Sequence, residues 1–231
     1  MILSNIFLQT VTASVQSATE SAVTTEKINI FELAKGGGWI MIILALLSVF
    51  VVYLFVERYL ALNRALKQDT SFMERVKERI QKSDLQGAKN IGEANDSPIG
   101  RMIGKGLSRL GRPLNDINQA VENVGKMEVA KLESGVSMLA TISNLAPSIG
   151  FLGTVTGMIR AFFDMAHAGN NIDIQMLSGG IYEAMVTTVG GLIVGLIASF
   201  LYSIIVGKIN KMVFILESRT MEFMDLLHEP A

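Results

Sequence analysis

Leu177–Lys208 reads LSGGIYEAMVTTVGGLIVGLIASFLYSIIVGK, and its charge pattern decides the class of fold. After Glu183 no charged residue appears until Lys208, which leaves 24 uncharged residues from Ala184 to Gly207. About 20 residues in helix cross the hydrocarbon core of a bilayer. A core helix of a soluble domain is the plainer reading, but 24 residues is too long for one, so the segment is expected to span a membrane. Glu183 then sits at or inside one edge of the span. A carboxylate is costly there and marks a functional candidate by default.

The segment has two faces. At 100° per residue, Gly180, Ala184, Thr187, Thr188, Gly191, Gly195, Ala198 and Ser199 fall on one side, with Glu183 at its rim. Ile181, Tyr182, Met185, Val189, Leu192, Ile193, Leu196 and Phe200 fill the other. Large residues suit lipid, and small ones let another backbone approach closely. Two readings of the small face stay open. One is close helix packing. The other is a pore or shared interface in which the two threonine hydroxyls and Glu183 are the polar groups.

Working outward, Ser134–Ile159 is a second uncharged run, of 26 residues, closed by Arg160. Ser143, Pro147, Gly150, Thr154, Gly157 and Ala161 share a face, so a second small, weakly polar face matches the first. Pro147 removes one backbone hydrogen bond, and a bend or bound water near Ser143 is expected. No strong breaker separates this run from the helix that opens near Asn115, so one continuous helix from there to Phe163 is expected. Trp39–Val56 is a third run, of 18 uncharged residues. Trp39 at one end and Tyr53 and Tyr59 toward the other suit the aromatic belts of a bilayer. It lacks a small face and is expected to be peripheral, largely in lipid.

These runs predict an all-α membrane protein with three transmembrane helices, the second and third extended into a helical cytoplasmic domain. The expected boundaries are a periplasmic tail with a short amphipathic helix over 1–38, spans over 39–60, 139–163 and 179–206, a cytoplasmic helical domain over 61–138, a periplasmic loop over 164–178 and a cytoplasmic C-terminal helix over 207–231. Met1–Thr25 is polar, without Lys or Arg, and reads as a loose tail. Glu26–Lys35 carries the amphipathic pattern, and Gly36–Gly38 reads as a hinge. Within the central domain, Ser71–Ile91 reads as one helix. Asp96-Ser97-Pro98 starts a second that Gly111 closes, and Pro113-Leu114-Asn115-Asp116 opens a third. Charges here alternate in sign along helices and read as solvated faces. Fourteen of the 20 Lys and Arg residues lie in Glu57–Ser137, and two precede the first span. That asymmetry predicts a periplasmic amino terminus and a cytoplasmic carboxyl terminus.

Composition excludes several classes. Half of the 231 residues are hydrophobic and the mean hydropathy is +0.41, as for a membrane protein with one sizeable soluble portion. The net charge of −1, with no basic stripe interleaved with aromatics, points to no nucleic-acid partner. Cysteine is absent, which removes disulfides, thiolate metal sites and cysteine nucleophiles. His167 and His228 stand apart from any ligand spacing, so neither metal nor cofactor is expected. Gly100–Lys105 is one residue short of a phosphate-binding loop, and Gly106 stands where a magnesium-binding hydroxyl should be. No residue set supports an enzyme.

Two motifs carry a resemblance. Ala146-Pro147-Ser148-Ile149-Gly150-Phe151-Leu152-Gly153-Thr154-Val155-Thr156-Gly157-Met158-Ile159, then Ala161-Phe162, resembles the second-span motif of the MotA/TolQ/ExbB proton-channel family. Gly180-Ile181-Tyr182-Glu183-Ala184-Met185-Val186-Thr187-Thr188-Val189-Gly190-Gly191-Leu192 resembles its third-span motif. With the topology, the resemblance covers nearly everything from Trp39 onward, and three spans are similar to the ExbB and TolQ branches.

The resemblance implies a homopentamer whose second and third spans line a central pore in the bacterial inner membrane. Inside the pore would stand transmembrane helices of an ExbD- or TolR-like single-span partner, which brings the proton-carrying aspartate. A TonB-like protein would be the client in the ExbB case. Thr154 and Thr188 match the family's pore threonines, and Glu183 matches its third-span glutamate. Thr187 stands where relatives often have a small apolar residue, so either threonine of the pair could face the pore. Ser143, Pro147, Gly150, Gly157, Gly191 and Gly195 are the expected packing residues of the pore face. The expected function is a proton-channel and stator subunit that energises TonB-dependent outer-membrane transport. The alternatives are a TolQ-like subunit for envelope maintenance and a passive membrane scaffold.

Overall fold

The computed structural model describes residues 37–67, 71–167 and 174–228. The expected tail and amphipathic helix, Met1–Lys35, lie outside the described residues. Seven helices are described, with no strand among the described residues: α1 (Gly38–Leu66), α2 (Phe72–Gln81), α3 (Leu85–Ala94), α4 (Pro98–Leu107), α5 (Leu114–Glu133), α6 (Val136–His167) and α7 (Ile174–His228). Three stretches are helical, long and apolar enough to cross a membrane: α1, the α5–α6 run and α7 from Leu177.

The Ala184–Gly207 run continues without a break into the carboxyl-terminal helix, as its spacing predicts. At 55 residues, α7 is about 80 Å long. Its first half packs along α6, and its last third closes a separate core. Phe72, Met73, Val76, Ile99, Met102, Ile103, Ile117 and Val121 of the central helices bury themselves against Met212, Leu216 and Phe223 of α7. Phe223 is fully buried, a position whose truncation to alanine typically costs about 3–5 kcal/mol. The central region is thus not a domain on its own, because α7 supplies one wall.

Toward the apolar end, Val51, Leu54 and Leu62 of α1 meet Val136, Leu139 and Ile142 of α6 and Ala198, Ile205 and Ile209 of α7. Nearer the start of α1, Ile40 and Leu44 pack on Ala146. The rest of α1 faces outward, with Trp39, Ile42, Leu46, Val49 and Tyr53 exposed. The peripheral position expected for this helix agrees with that. At its other end the Lys208 ammonium donates to Asn63 Oδ1 at 2.5 Å and lies 3.9 Å from the centre of the Tyr59 ring.

Two expectations are corrected. The helix expected over Ser71–Ile91 is broken at Lys82–Asp84. Ser83 takes a positive φ of 55°, and Asp84 Oδ1 accepts from the Gly87 amide at 2.8 Å, starting a new helix. The continuous helix expected from Asn115 to Phe163 is interrupted at Ser134–Gly135. Gly135 has φ of +77°, and a Cβ there would lie 3.1 Å from the Arg58 guanidinium. A left-handed residue beneath a packed arginine admits only glycine easily. Elsewhere the start signals hold: Ser97 Oγ accepts from the Gly100 amide at 3.0 Å with Pro98 in the first turn.

The reading of all central charges as solvated fails at Glu128, which is buried. Arg101 donates to its Oε2 at 2.6 Å and Lys131 to its Oε1 at 2.7 Å. Burial alone would raise the Glu128 pKa. The Arg101 and Lys131 bonds outweigh burial and hold it below the ordinary carboxylate value.

Candidate functional site

The two small faces meet each other within one chain. A Cβ on Gly191 would lie 2.8 Å from Gly150 Cα, one on Gly157 2.9 Å from Ala184 Cβ, and one on Gly180 2.6 Å from Ala161 Cβ. Gly195 lies under the Pro147 ring and against the Ser143 carbonyl, 3.0 Å from where its Cβ would be. Without side chains at these points the two backbones come into direct contact. The packing reading therefore accounts for Ser143, Pro147, Gly150, Gly157, Gly191 and Gly195. The helix runs through Pro147 unbroken.

At one edge of this seam the structure brings Thr154 and Thr188 together. Their hydroxyl oxygens are 2.5 Å apart although the residues are 34 positions apart in sequence. Both also reach the Gly150 carbonyl, at 3.3 Å and 3.2 Å. Two hydroxyl protons thus serve two bonds, and there are two ways to arrange them. Thr188 donates to Gly150 and Thr154 to Thr188, or Thr154 donates to Gly150 and Thr188 to Thr154. Both side chains are half-buried. In either arrangement both protons are taken, so the pair accepts from a third group at the seam's edge and donates to one only by releasing the Gly150 carbonyl; it cannot hold a net charge.

Thr187 is placed differently. It is buried, its methyl and hydroxyl pack on Gly153, and it donates to the Ala184 carbonyl at 2.7 Å. Its 3.4 Å approach to the Gly150 carbonyl is the weaker contact. The adjacent threonines thus differ: Thr187 fills the seam and Thr188 stands at its edge.

Glu183 is half-buried, one to two turns nearer the start of α7. It borders a cavity of about 210 Å³ together with Arg160 and Asp164 of α6 and Gly37, Trp39 and Ile40 at the start of α1. Its carboxylate oxygen lies against Gly38, where a Cβ would overlap it. The structure does not join Glu183 to the threonine pair by any hydrogen bond among the described residues. Sequence reasoning missed Gly38 and Gly153, which make room for Glu183 and Thr187. It also missed the Gly150 carbonyl as the acceptor the threonines share. The Gly36–Gly38 run was the available signal for the first. The Gly150, Gly153, Gly157 spacing was the signal for the second. Among the described residues no cluster of three or more possible metal ligands occurs.

Three helices of membrane-crossing length, two of them zipped by small residues around a hydroxyl pair, define a multi-pass membrane protein with a weakly polar inner seam. Residues 94–218 match the model of the MotA/TolQ/ExbB proton channel family, more than half of the chain, and the chain belongs to that family. It is similar to a biopolymer transport protein ExbB homolog of Methanothermobacter thermautotrophicus, 29% identical over 183 residues, 78% of this chain and 64% of that protein. The chain thus spans less than two thirds of that relative. It is also similar to the biopolymer transport protein ExbB-like 1 of Synechocystis, 32% identical over 74% of this chain and 68% of the relative. The Tol-Pal system protein TolQ of Haemophilus influenzae is 28% identical over 83% of this chain and 89% of its own length.

Proposed function

We propose that this protein is the proton-channel and stator subunit of an ExbB-type motor, which uses the proton motive force to energise TonB-dependent transport across an outer membrane. It sits in the inner membrane with a periplasmic amino terminus. Five copies surround the transmembrane helices of an ExbD- or TolR-like partner, and a TonB-like protein is the client. The observation that carries this reading is the Thr154–Thr188 pair on the shared Gly150 carbonyl. A chain with one carboxylate at the rim of its third span has no full relay of its own. It offers a dry wall with a hydroxyl pair of reversible polarity, which suits a carboxylate brought by another protein. Glu183, at the outer end of the seam beside Arg160 and Asp164, is the group next to the proton's arrival side.

A TolQ-like subunit for envelope maintenance is the second reading, and the extent of the Haemophilus influenzae match favours it. The chemistry is the same and the client differs. The test is proton flux in vesicles that hold this chain together with its single-span partner, followed by complementation of strains lacking either system. Thr154→Val and Thr188→Val are expected to assemble normally and lose flux. Normal flux from both would return the seam to packing alone, and no flux from the unaltered complex would leave a scaffold. Rescue of TonB-dependent uptake or of envelope integrity decides between the two clients.

A further inference from the structure

On α6, directly away from α7, runs a stripe that neither packing nor the threonine pair uses. Thr141, Asn144 and Ser148 fall within about 60° of one another and are all exposed. Thr141 and Ser148 donate to carbonyls of their own helix, at 3.0 Å each. That contents a lone hydroxyl. Asn144 is not contented: one N–H reaches the Ala140 carbonyl at 3.1 Å, while its Oδ1 has no donor among the described residues. By the boundaries read from sequence, Asn144 lies about 8 Å inside the second span. An amide facing hydrocarbon with an open acceptor is costly, so this face meets something other than lipid.

The complementary group is on α7. Ser199 and Ser203 are exposed on one flank of the helix, about 90° from the row that packs on α6. Neither hydroxyl has a hydrogen-bond partner among the described residues, so each is a free donor. Depth matches as well. Within one chain Gly150 lies on Gly191, Gly157 on Ala184 and Ala161 on Gly180, so the antiparallel register sets Asn144 level with Ile197, about 3 Å along the membrane normal from Ser199 and about 9 Å from Ser203. Copies related by rotation about that normal keep their depth, so only groups at one level can meet between copies.

We infer that Asn144 of one copy accepts from Ser199 of the next, forming a polar seam that joins neighbours around the ring. The two patches differ, so the contact is head-to-tail and closes into a ring rather than a pair. This inference rests on the homo-oligomer reading above and names its contact.

The chain has no cysteine, which makes the test direct. In membranes holding the full complex, the double variants Asn144→Cys with Ser199→Cys and Asn144→Cys with Ser203→Cys are oxidised. The pair with Ser199 should give a covalent ladder rising to the ring size, while the pair with Ser203, which lies off level, and the single variants give none. Asn144→Leu should raise the monomer fraction in detergent about 3- to 30-fold per contact, the range for one interhelical polar bond in a membrane, and Asn144→Ser should restore part of the loss. Three results overturn the seam: reaction of Asn144→Cys in the intact complex with a charged methanethiosulfonate, which means a watery lumen; cross-linking to a different protein; or no ladder from Asn144→Cys with Ser199→Cys. Native mass separates the causes. An oligomer without a ladder removes the seam alone, and a monomer removes the homo-oligomer reading with it.

Discussion

Thr187 and Thr188 are one position apart, and one position turns a helix by about 100°. That step puts the first hydroxyl inside the seam, bonded to Ala184, and the second at the edge beside Thr154. The two should therefore respond differently to the same shape-conserving change. Thr188→Val is expected to abolish proton-driven transport, and Thr188→Ser to keep part of it. Thr187→Val should cost little more than one weak bond, about 0.5–1.5 kcal/mol of stability, with transport retained. Transport assays beside thermal melts of the purified complex separate these outcomes, and loss of transport from both valines at unchanged stability would contradict the assignment.

Glu128 gives a second prediction at this scale. Its folded pKa is below the unfolded value, so its contribution to stability is present above the ordinary carboxylate range. It is lost as pH falls through the folded pKa. Arg101 and Lys131 are partly exposed, which screens the pair. Arg101→Met should then cost about 1–3 kcal/mol at neutral pH by leaving the buried carboxylate underpaired. The gap to the parent should narrow in melts taken toward pH 3, and a gap that widened instead would exclude the pairing.

At the scale of elements, α6 and α7 are held by backbone approach. Glycine in a helix interior is intrinsically worse than alanine by about 1 kcal/mol, so where space is free Gly→Ala should stabilise. Nothing lies within 4 Å of a Cβ at Gly207, and Gly207→Ala should be neutral or gain about 0.5–1 kcal/mol. At Gly191 the same methyl meets the Ala146 carbonyl and Gly150 Cα, backbone atoms that cannot give way. Gly191→Ala should lose about 1–3 kcal/mol and push Thr188 away from Thr154. Thermal unfolding of the two variants side by side checks the opposite signs.

For the whole molecule, α7 ties the apolar half to the central core, because Met212, Leu216 and Phe223 belong to that core. A chain cut after Lys208 should keep neither. The proposed assembly predicts a native mass of five copies in mild detergent, rising when the single-span partner is co-expressed, and a monomer in detergent and in lipid would count against it. The proposed orientation predicts that Ser17→Cys reacts with an impermeant thiol reagent added from the periplasmic side and that Ser108→Cys reacts only after the membrane is opened.

The number and placing of the long apolar helices were legible in the sequence, because uncharged runs of 18 to 26 residues are local counts. So were the two small faces, since helical spacing alone defines a face, and the two motifs that announced the family. The breaks at Ser83 and Gly135 were not. Each depends on a partner distant in sequence or on a backbone angle that ordinary residue types do not announce: Arg58 lies over Gly135 only once α1 and α6 are packed. The burial of Glu128 was hidden for the same reason, because only the folded chain brings Arg101 within 2.6 Å. Spacing could say that Thr154, Thr187 and Thr188 share polar faces. It took the antiparallel docking of α6 on α7, set by where glycine lets two backbones touch, to put Thr187 inside and to join Thr154 to Thr188 at the edge.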